Sequence, residues 1–263
     1  MSEEFVASLK RDYLNELALK DQRADGRKAD EMRPLTITAN AIGTADGSAM
    51  VLMGKTRLFV GVKVATGAPF GDRPKDGVII TSAELVPIAS PTFEVGPPSM
   101  ASIEVARVVD RGIRESKMIE LADLCIEEGK KVWMINIDIH VVDYDGNLFD
   151  AANIAAVTAL KTTALPAKRL GIGEKDIPLK IHHTPTSLTA VKIGKSVLVD
   201  PTHDEESVAV ARLTATVDEH GALRAMQKGL AGSFSVDEVK YIIELSQRLG
   251  KEIRDAIHKA AST

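Results

Sequence analysis

The chain has 263 residues, 44% hydrophobic and 27% charged, a balance that supplies a large folded core and excludes intrinsic disorder. Its 33 basic and 37 acidic residues leave a formal net charge of −4, which excludes nucleic-acid binding through overall charge and leaves a local basic patch or a partner's charge. The single cysteine, Cys125, excludes an internal disulfide framework; the acidic start, MSEEFVASLKRDYL, and the lack of a long apolar run predict a soluble, cytoplasmic protein.

Phe5, Leu9, Tyr13 and Leu17, with Val6 beside them, stand at helical spacing and predict an amphipathic first helix. A polar connector over 21–30 follows and contains Asp25-Gly26-Arg27. From Leu35 to Leu85 the period shifts to two, predicting strands at 51–53, 58–64 and 78–85. Turns separate them at Asp46-Gly47, at Gly54 and at 71–77, and 67–77 reads as an exposed mobile loop. A second Pro/Gly-rich loop, 90–99, leads into a helix over 100–113 with a predicted buried stripe of Ile103, Ala106, Val109 and Ile113. Cys125 lies among Ile119, Leu121, Leu124 and Ile126 and reads as a buried, inert thiol.

The clearest strand covers 132–142, with Trp133, Ile135, Ile137, Ile139 and Val141 on one face and Asn136, Asp138 and His140 on the other. It ends at Asp143-Tyr-Asp-Gly146, and an alanine-rich helix over 150–165 completes half of a βαβ unit. Pro166 and Gly171-Ile-Gly173 close that half, and a β-rich section over 180–226 follows with a hairpin turn at 218–221. Ser235 and Glu238 form a capping box for a last helix, whose apolar face holds Val239, Ile242, Ile243, Leu249, Ile253 and Ile257. The order of elements predicts an α/β fold of the α+β type.

Several residue groups invite chemistry. Asn136, Asp138 and His140 line up at i, i+2 and i+4, but that spacing spreads ligands along a strand, so they read as a polar sheet face. His182, His183, His203, His220 and His258 are scattered and match no HExxH or paired spacing, which argues against zinc. The Asp143–Gly146 turn offers a helix N-terminus to a phosphate, yet Asn147, Leu148 and Phe149 supply no cation and no further glycine. Arg107, Arg111 and Arg114, with Lys117 beyond, fall on one helical face and suit a chain of phosphates; Glu104, Asp110 and Glu115 are near enough to pair with them instead. Aromatic residues at 4% exclude a broad base-stacking platform. No nucleophile elbow occurs, and Gly54-Lys55-Thr56 lacks the glycine frame of a P-loop and reads as a turn.

Together, Asp25-Gly26-Arg27 before Arg33-Pro34-Leu35, Asp46-Gly47-Ser48-Ala49, Gly54-Lys55-Thr56, 107–117, Val141–Gly146, Val199-Asp200-Pro201-Thr202, Glu205-Glu206 and Met226-Gln-Lys-Gly229 resemble the RNase PH family over nearly the whole chain. Within it they resemble the larger ring subunit of the archaeal exosome, which has no active centre of its own. The resemblance implies an RNase PH fold of two βα subdomains with mixed sheets packed against helices. It divides the chain into an N-terminal helix and connector (1–31), a core domain (32–166) and a C-terminal domain (187–258).

Active members of the family degrade RNA from its 3′ end by phosphorolysis and carry Gly-Thr-Arg after the Asp-x-Asp-Gly turn. Here Asn147-Leu148-Phe149 stands in its place, and an ungapped count from Val199-Asp200 puts Arg212 where the catalytic aspartate belongs. The resemblance therefore implies a non-catalytic chain with no cofactor and no metal. It implies RNA contact through Arg107, Arg111, Arg114 and Lys117, with single-stranded RNA as ligand. The implied partners are a catalytic RNase PH-like subunit, in a hexameric ring of three heterodimers, and RNA-binding cap subunits. Two readings compete with it: an exoribonuclease active by itself through a displaced carboxylate at Asp204, Glu205 or Glu206, and a scaffold without RNA contact.

Overall fold

The computed structural model describes residues 2–20 and 22–262, with side chains from residue 11 onward. The first helix, Ser2–Leu19 (α1), precedes the strands Leu35–Ala39 (β1), Gly47–Met53 (β2), Thr56–Gly67 (β3) and Val78–Leu85 (β4). Helix Met100–Glu115 (α2) follows, then a short 3-10 turn at Leu121–Leu124, the edge strand Cys125–Glu127 (β5) and the long strand Lys131–Asp143 (β6). These strands form one sheet in the order β1-β2-β3-β6-β4, with β5 also on β6. β4 runs parallel to β6, whereas β3 and β5 pair with it antiparallel. The alternation in β6 places Ile135, Ile137, Ile139 and Val141 in the core. On its other face Asn136 donates to the Lys63 carbonyl at 3.3 Å, Ser82 donates to Asp138 at 2.7 Å and His140 lies 3.3 Å from Glu84. These three residues form the polar sheet face that their spacing predicts.

The helix Leu148–Lys161 (α3) is buried along its length except at Lys161. Ala151, Ala152, Ala155, Ala156 and Ala159 keep it slim enough to lie between the first sheet and the strand Thr186–Ile193 (β9). It stops at Lys161 rather than at 165, because Ala164–Leu165 (β7) pairs with Ile177–Pro178 (β8). The second sheet has the order β10-β9-β11-β12, all antiparallel, with Ser196–Val199 as β10, Ala211–Val217 as β11 and Leu223–Gly229 as β12. Between β10 and β11 a short helix, His203–Val208 (α4), replaces the continuous β structure predicted there; Thr202 and Glu205 form its capping box.

The last helix, Val236–Ala261 (α5), starts at the predicted Ser235/Glu238 capping box. Ile242, Leu245 and Leu249 enter the second core with Leu188, Val199 and Leu213, while Ile253 and Ile257 enter the first. One helix therefore closes both halves. Val239 and Ile243 lie at the margin of this face, and Leu245 takes their place in the core.

Three further expectations are corrected. Ile103 is 40% exposed, because the buried stripe of α2 is centred on Val105, Val109 and Gly112, and Ile103 falls nearly half a turn away. Cys125 is half-exposed rather than buried, since it opens the edge strand β5. Among the described side chains of α1 the buried ones are Leu14 and Ala18, packed with Val191, Ile193 and Leu198, whereas Tyr13 is 55% exposed. The side chains of Phe5, Val6 and Leu9 lie outside the described residues. The 67–77 segment is largely exposed, as predicted, and is pinned where Gly77 donates to the Leu121 carbonyl. Among the described residues no helix is long and apolar enough to cross a membrane.

Candidate functional site

Motifs far apart in sequence meet in a buried polar hub. Asp200 has no accessible surface and a left-handed backbone, with φ of 46°. Its carboxylate accepts from Arg33 Nε at 2.9 Å, Arg33 Nη2 at 2.7 Å, the Arg33 backbone N–H at 2.8 Å and Arg27 at 3.1 Å. Burial opposes its charge, but the Arg33 guanidinium and the Asn147 amide outweigh that and hold its pKa below the usual carboxylate value. Beside it, Arg23 makes a two-point pair with Glu205 at 2.8 and 2.6 Å. The arginines of the connector thus tie it to the end of β10 and to α4.

Asn147 joins this hub to α3. It caps the helix from a left-handed backbone, φ 52°, and its Nδ2 donates to both Asp150 and Asp200 at 2.8 Å. Asp150 also accepts from the Thr189 N–H at 2.9 Å and the Thr189 hydroxyl at 2.8 Å. Burial lifts the Asp150 pKa to about 7, against the lowering effect of the Asn147 and Thr189 hydrogen bonds and with a further push from Asp200.

The turn before α3 has the form of an anion seat. Gly146 has φ of 88°, and a Cβ there would come within 2.5 Å of the Pro201 carbonyl oxygen. Thr56, the first residue of β3, donates to the Gly146 carbonyl at 2.7 Å and accepts from the Asp145 N–H at 3.0 Å. The Asn147 N–H, at the start of α3, does not face open solvent. It donates to Glu206 Oε1 at 2.9 Å, and Tyr144 donates its hydroxyl to Glu206 Oε2 at 2.7 Å. Burial raises the Glu206 pKa against those two hydrogen bonds, and burial together with the Glu206 charge raises that of Tyr144. Phe93 and His203 pack against the Tyr144 ring at centroid distances of 5.2 and 5.0 Å.

Phe149 and Arg212, read from separate segments, face each other. The Arg212 guanidinium carbon lies 4.2 Å from the Phe149 ring centroid, and Arg212 pairs with Glu104 of α2 at 2.5 Å. Gly229 of β12 makes room for it, since a Cβ there would lie 2.6 Å from Arg212 Nη2. Leu148 is buried in the first core.

The arginine row of α2 divides. Among the described residues Arg107 is exposed and its guanidinium takes part in no hydrogen bond or ion pair. Arg111 donates to Gln227 of β12 at 2.9 Å. Arg114 is turned away, held by Asp110 at 2.7 Å and by the Ile79 carbonyl at 2.5 Å. Lys117 lies past the helix end with φ of 55°, exposed and 3.3 Å from Glu120. Arg107 and Arg111 line a groove of about 540 Å³ with Met100, Ile103, Glu104, Val108 and Gln227. Sequence spacing brings out the row; only the fold separates the open arginine from the committed ones.

Of the three acids that could replace a lost catalytic group, Glu205 is held by Arg23 and Glu206 by Tyr144 and Asn147, while the Asp204 backbone carbonyl accepts from the Ser207 hydroxyl at 2.7 Å. The histidines are less scattered than their positions predict: His183 and His220 converge on Glu219.

Two α/β halves, each a mixed or antiparallel sheet backed by helices and joined through a buried hub, define an RNase PH fold. Domain 1 of the 3′ exoribonuclease family matches residues 31–166 and domain 2 matches residues 183–248. The chain belongs to this family. It is 49% identical over 257 residues to the exosome complex component Rrp42 of Methanocella arvoryzae, covering 98% of both chains. Against the protein of the same name from Thermococcus kodakarensis it is 49% identical over 268 residues, covering 99% of this chain and 98% of the other. Among solved structures, a chain of the Archaeoglobus fulgidus exosome with RNA bound to the active site superposes with a TM-score of 0.92 at 45% identity, covering 95% of this chain and 98% of that one. A chain of an archaeal exosome core superposes with a TM-score of 0.90 at 41% identity, covering 98% and 100%.

Proposed function

We propose that the chain is a non-catalytic, RNA-contacting and structural subunit of an exosome ring that degrades RNA 3′ to 5′ by phosphorolysis, helping to form the active site of a catalytic RNase PH-like partner. The observation that carries this reading is the Phe149–Arg212–Glu104 stack: where active relatives hold a cation and a carboxylate, this chain holds a ring and a cation already paired. Glu206 on the Asn147 N–H adds to it, because an internal carboxylate repels phosphate from the start of α3. Arg107, with Arg111 second and Arg114 and Lys117 as lesser contributors, is assigned to the phosphates of single-stranded RNA.

The same reading gives a cytoplasmic hexameric ring of three heterodimers capped by RNA-binding subunits, with domains at 32–166 and 187–258 after the N-terminal helix and connector. Activity of the chain alone through Glu205 or Glu206 is disfavoured by the partners those acids already hold. The test incubates single-stranded RNA and inorganic phosphate with the chain, with the partner and with both. Nucleoside diphosphate release that requires the partner supports the reading; release by the lone chain overturns it.

A further inference from the structure

His183, on the approach to β9, meets Glu219 and His220, on the β11–β12 turn, although they lie 36 residues and more apart in sequence. His183 Nδ1 lies 2.8 Å from Glu219 Oε1, and His220 Nε2 lies 3.7 Å from the same oxygen. The ligand atoms of all three lie within 4.8 Å of one another. A tetrahedral zinc ion with bonds of about 2.0–2.1 Å spaces its ligand atoms roughly 3.3 Å apart, so small side-chain rotations close the difference. We propose that His183, Glu219 and His220 form a surface site for one divalent transition-metal ion of the zinc class, with its fourth position open to water.

The surroundings hold these ligands in place. Asp218 Oδ1 accepts from the His220 and Ala222 backbone N–H groups, both at 2.9 Å, and Asp218 Oδ2 accepts from Arg224 Nε at 2.6 Å. Gly221 completes the turn with φ of 76°. The Thr184 N–H binds Glu219 Oε2 at 2.9 Å, which leaves Oε1 toward the two rings. The imidazoles stand edge to face, 6.1 Å between centroids, and His220 has 72% of its side chain exposed, so an ion can enter from solvent. Two imidazole nitrogens aimed at one carboxylate oxygen exceed what a single ion pair uses; a cation between them engages all three groups.

The charge around the site selects the kind of metal. Lys161, Arg254 and His258 all feel the Glu219 carboxylate, with Asp218 and Asp255 also nearby. The Lys161 and Arg254 charges oppose a hard ion held by charge alone, whereas zinc and cobalt gain from nitrogen ligation. Two imidazoles and a single carboxylate therefore favour zinc over magnesium, which takes oxygen ligands. An ion there ties the β11–β12 turn to the strand that enters the second sheet.

The test titrates the full chain, freed of metal by a chelator that is then removed, with ZnCl2 and separately with MgCl2, and records the visible absorption of the cobalt form. One zinc per chain and no magnesium binding are expected, with a melting temperature that rises with zinc concentration. His220→Ala, at the most exposed ligand, and His183→Ala should each weaken zinc by about tenfold or more. His182→Ala, which removes the neighbouring ring paired with Asp123, should leave it unchanged. No zinc binding by the wild-type chain overturns the proposal. So does binding unaffected by both His183→Ala and His220→Ala.

Discussion

The amino end of α3 and the outer face of α2 both carry groups suited to phosphate, yet the fold treats them oppositely. At α3 the chain answers its own donors: Glu206 takes the Asn147 N–H, and Asn147 spends its side chain on Asp150 and Asp200. The cation nearest to Phe149, Arg212, is paired with Glu104. On α2, Arg107 remains exposed beside a groove. A closed anion seat and an open arginine on adjacent helices suit a subunit that holds a polyanion without attacking it.

The comparison breaks most severely if the closed region is opened. Asp200→Ala strands Arg33 and Arg27 in the hub and should cost about 3–5 kcal/mol in denaturant unfolding. Glu205→Ala, which strands Arg23, should act in the same direction. A loss under 1 kcal/mol for both would mean the hub is not the joint between the halves.

Asp150 and Asp200 share one amide and titrate in opposite senses, which gives the next effect. Asp150 has its folded pKa raised to about 7 from 3.8, so its contribution to stability is full below pH ~4 and is lost as pH rises toward about 7. Asp200, lowered from 3.8, contributes above that value and loses its contribution only as pH falls further. Asp150→Asn should therefore gain on the wild type by on the order of 1–3 kcal/mol between pH ~4 and 8. Asparagine can mimic the protonated acid because the Thr189 hydroxyl can turn its proton to Thr214, 2.9 Å away, and accept. Unfolding curves with parallel pH dependence for the two proteins would contradict this.

Smaller still is Arg212→Ala. It removes the ring contact and the pair with Glu104 and should cost about 1 kcal/mol, read from the same unfolding curves. Arg107→Ala should change stability by less than about 0.5 kcal/mol, because the side chain is exposed and holds no partner among the described residues. A larger loss at Arg107 would remove the contrast between the two helices.

Local patterns were legible where one element decides the outcome. The alternation in β6, the Ser235–Glu238 capping box and the turn at Gly54 appear in the structure as their residues imply. Thr202-x-x-Glu205 carried the same signature for α4, but the surrounding β-rich run hid it. The hub was not legible, because Arg33 and Asp200 lie 167 residues apart and a buried pair leaves no periodic trace. Asn147 illustrates the limit: in sequence it is a missing phosphate ligand, and in the fold it is a left-handed helix cap holding two aspartates. The arginine row was visible by spacing alone, and so was Asp110 as a partner one turn away, but the Ile79 carbonyl that also withdraws Arg114 needed the sheet to be in place.

The most direct measurement is the salt dependence of single-stranded RNA binding by the ring assembled with its catalytic partner, with wild-type chain and with Arg107→Ala. Weaker binding is expected for the variant, with the slope of log affinity against log salt reduced by about 0.7 for each arginine removed per bound RNA. Identical affinities and slopes would contradict it and leave the chain a scaffold that RNA does not touch.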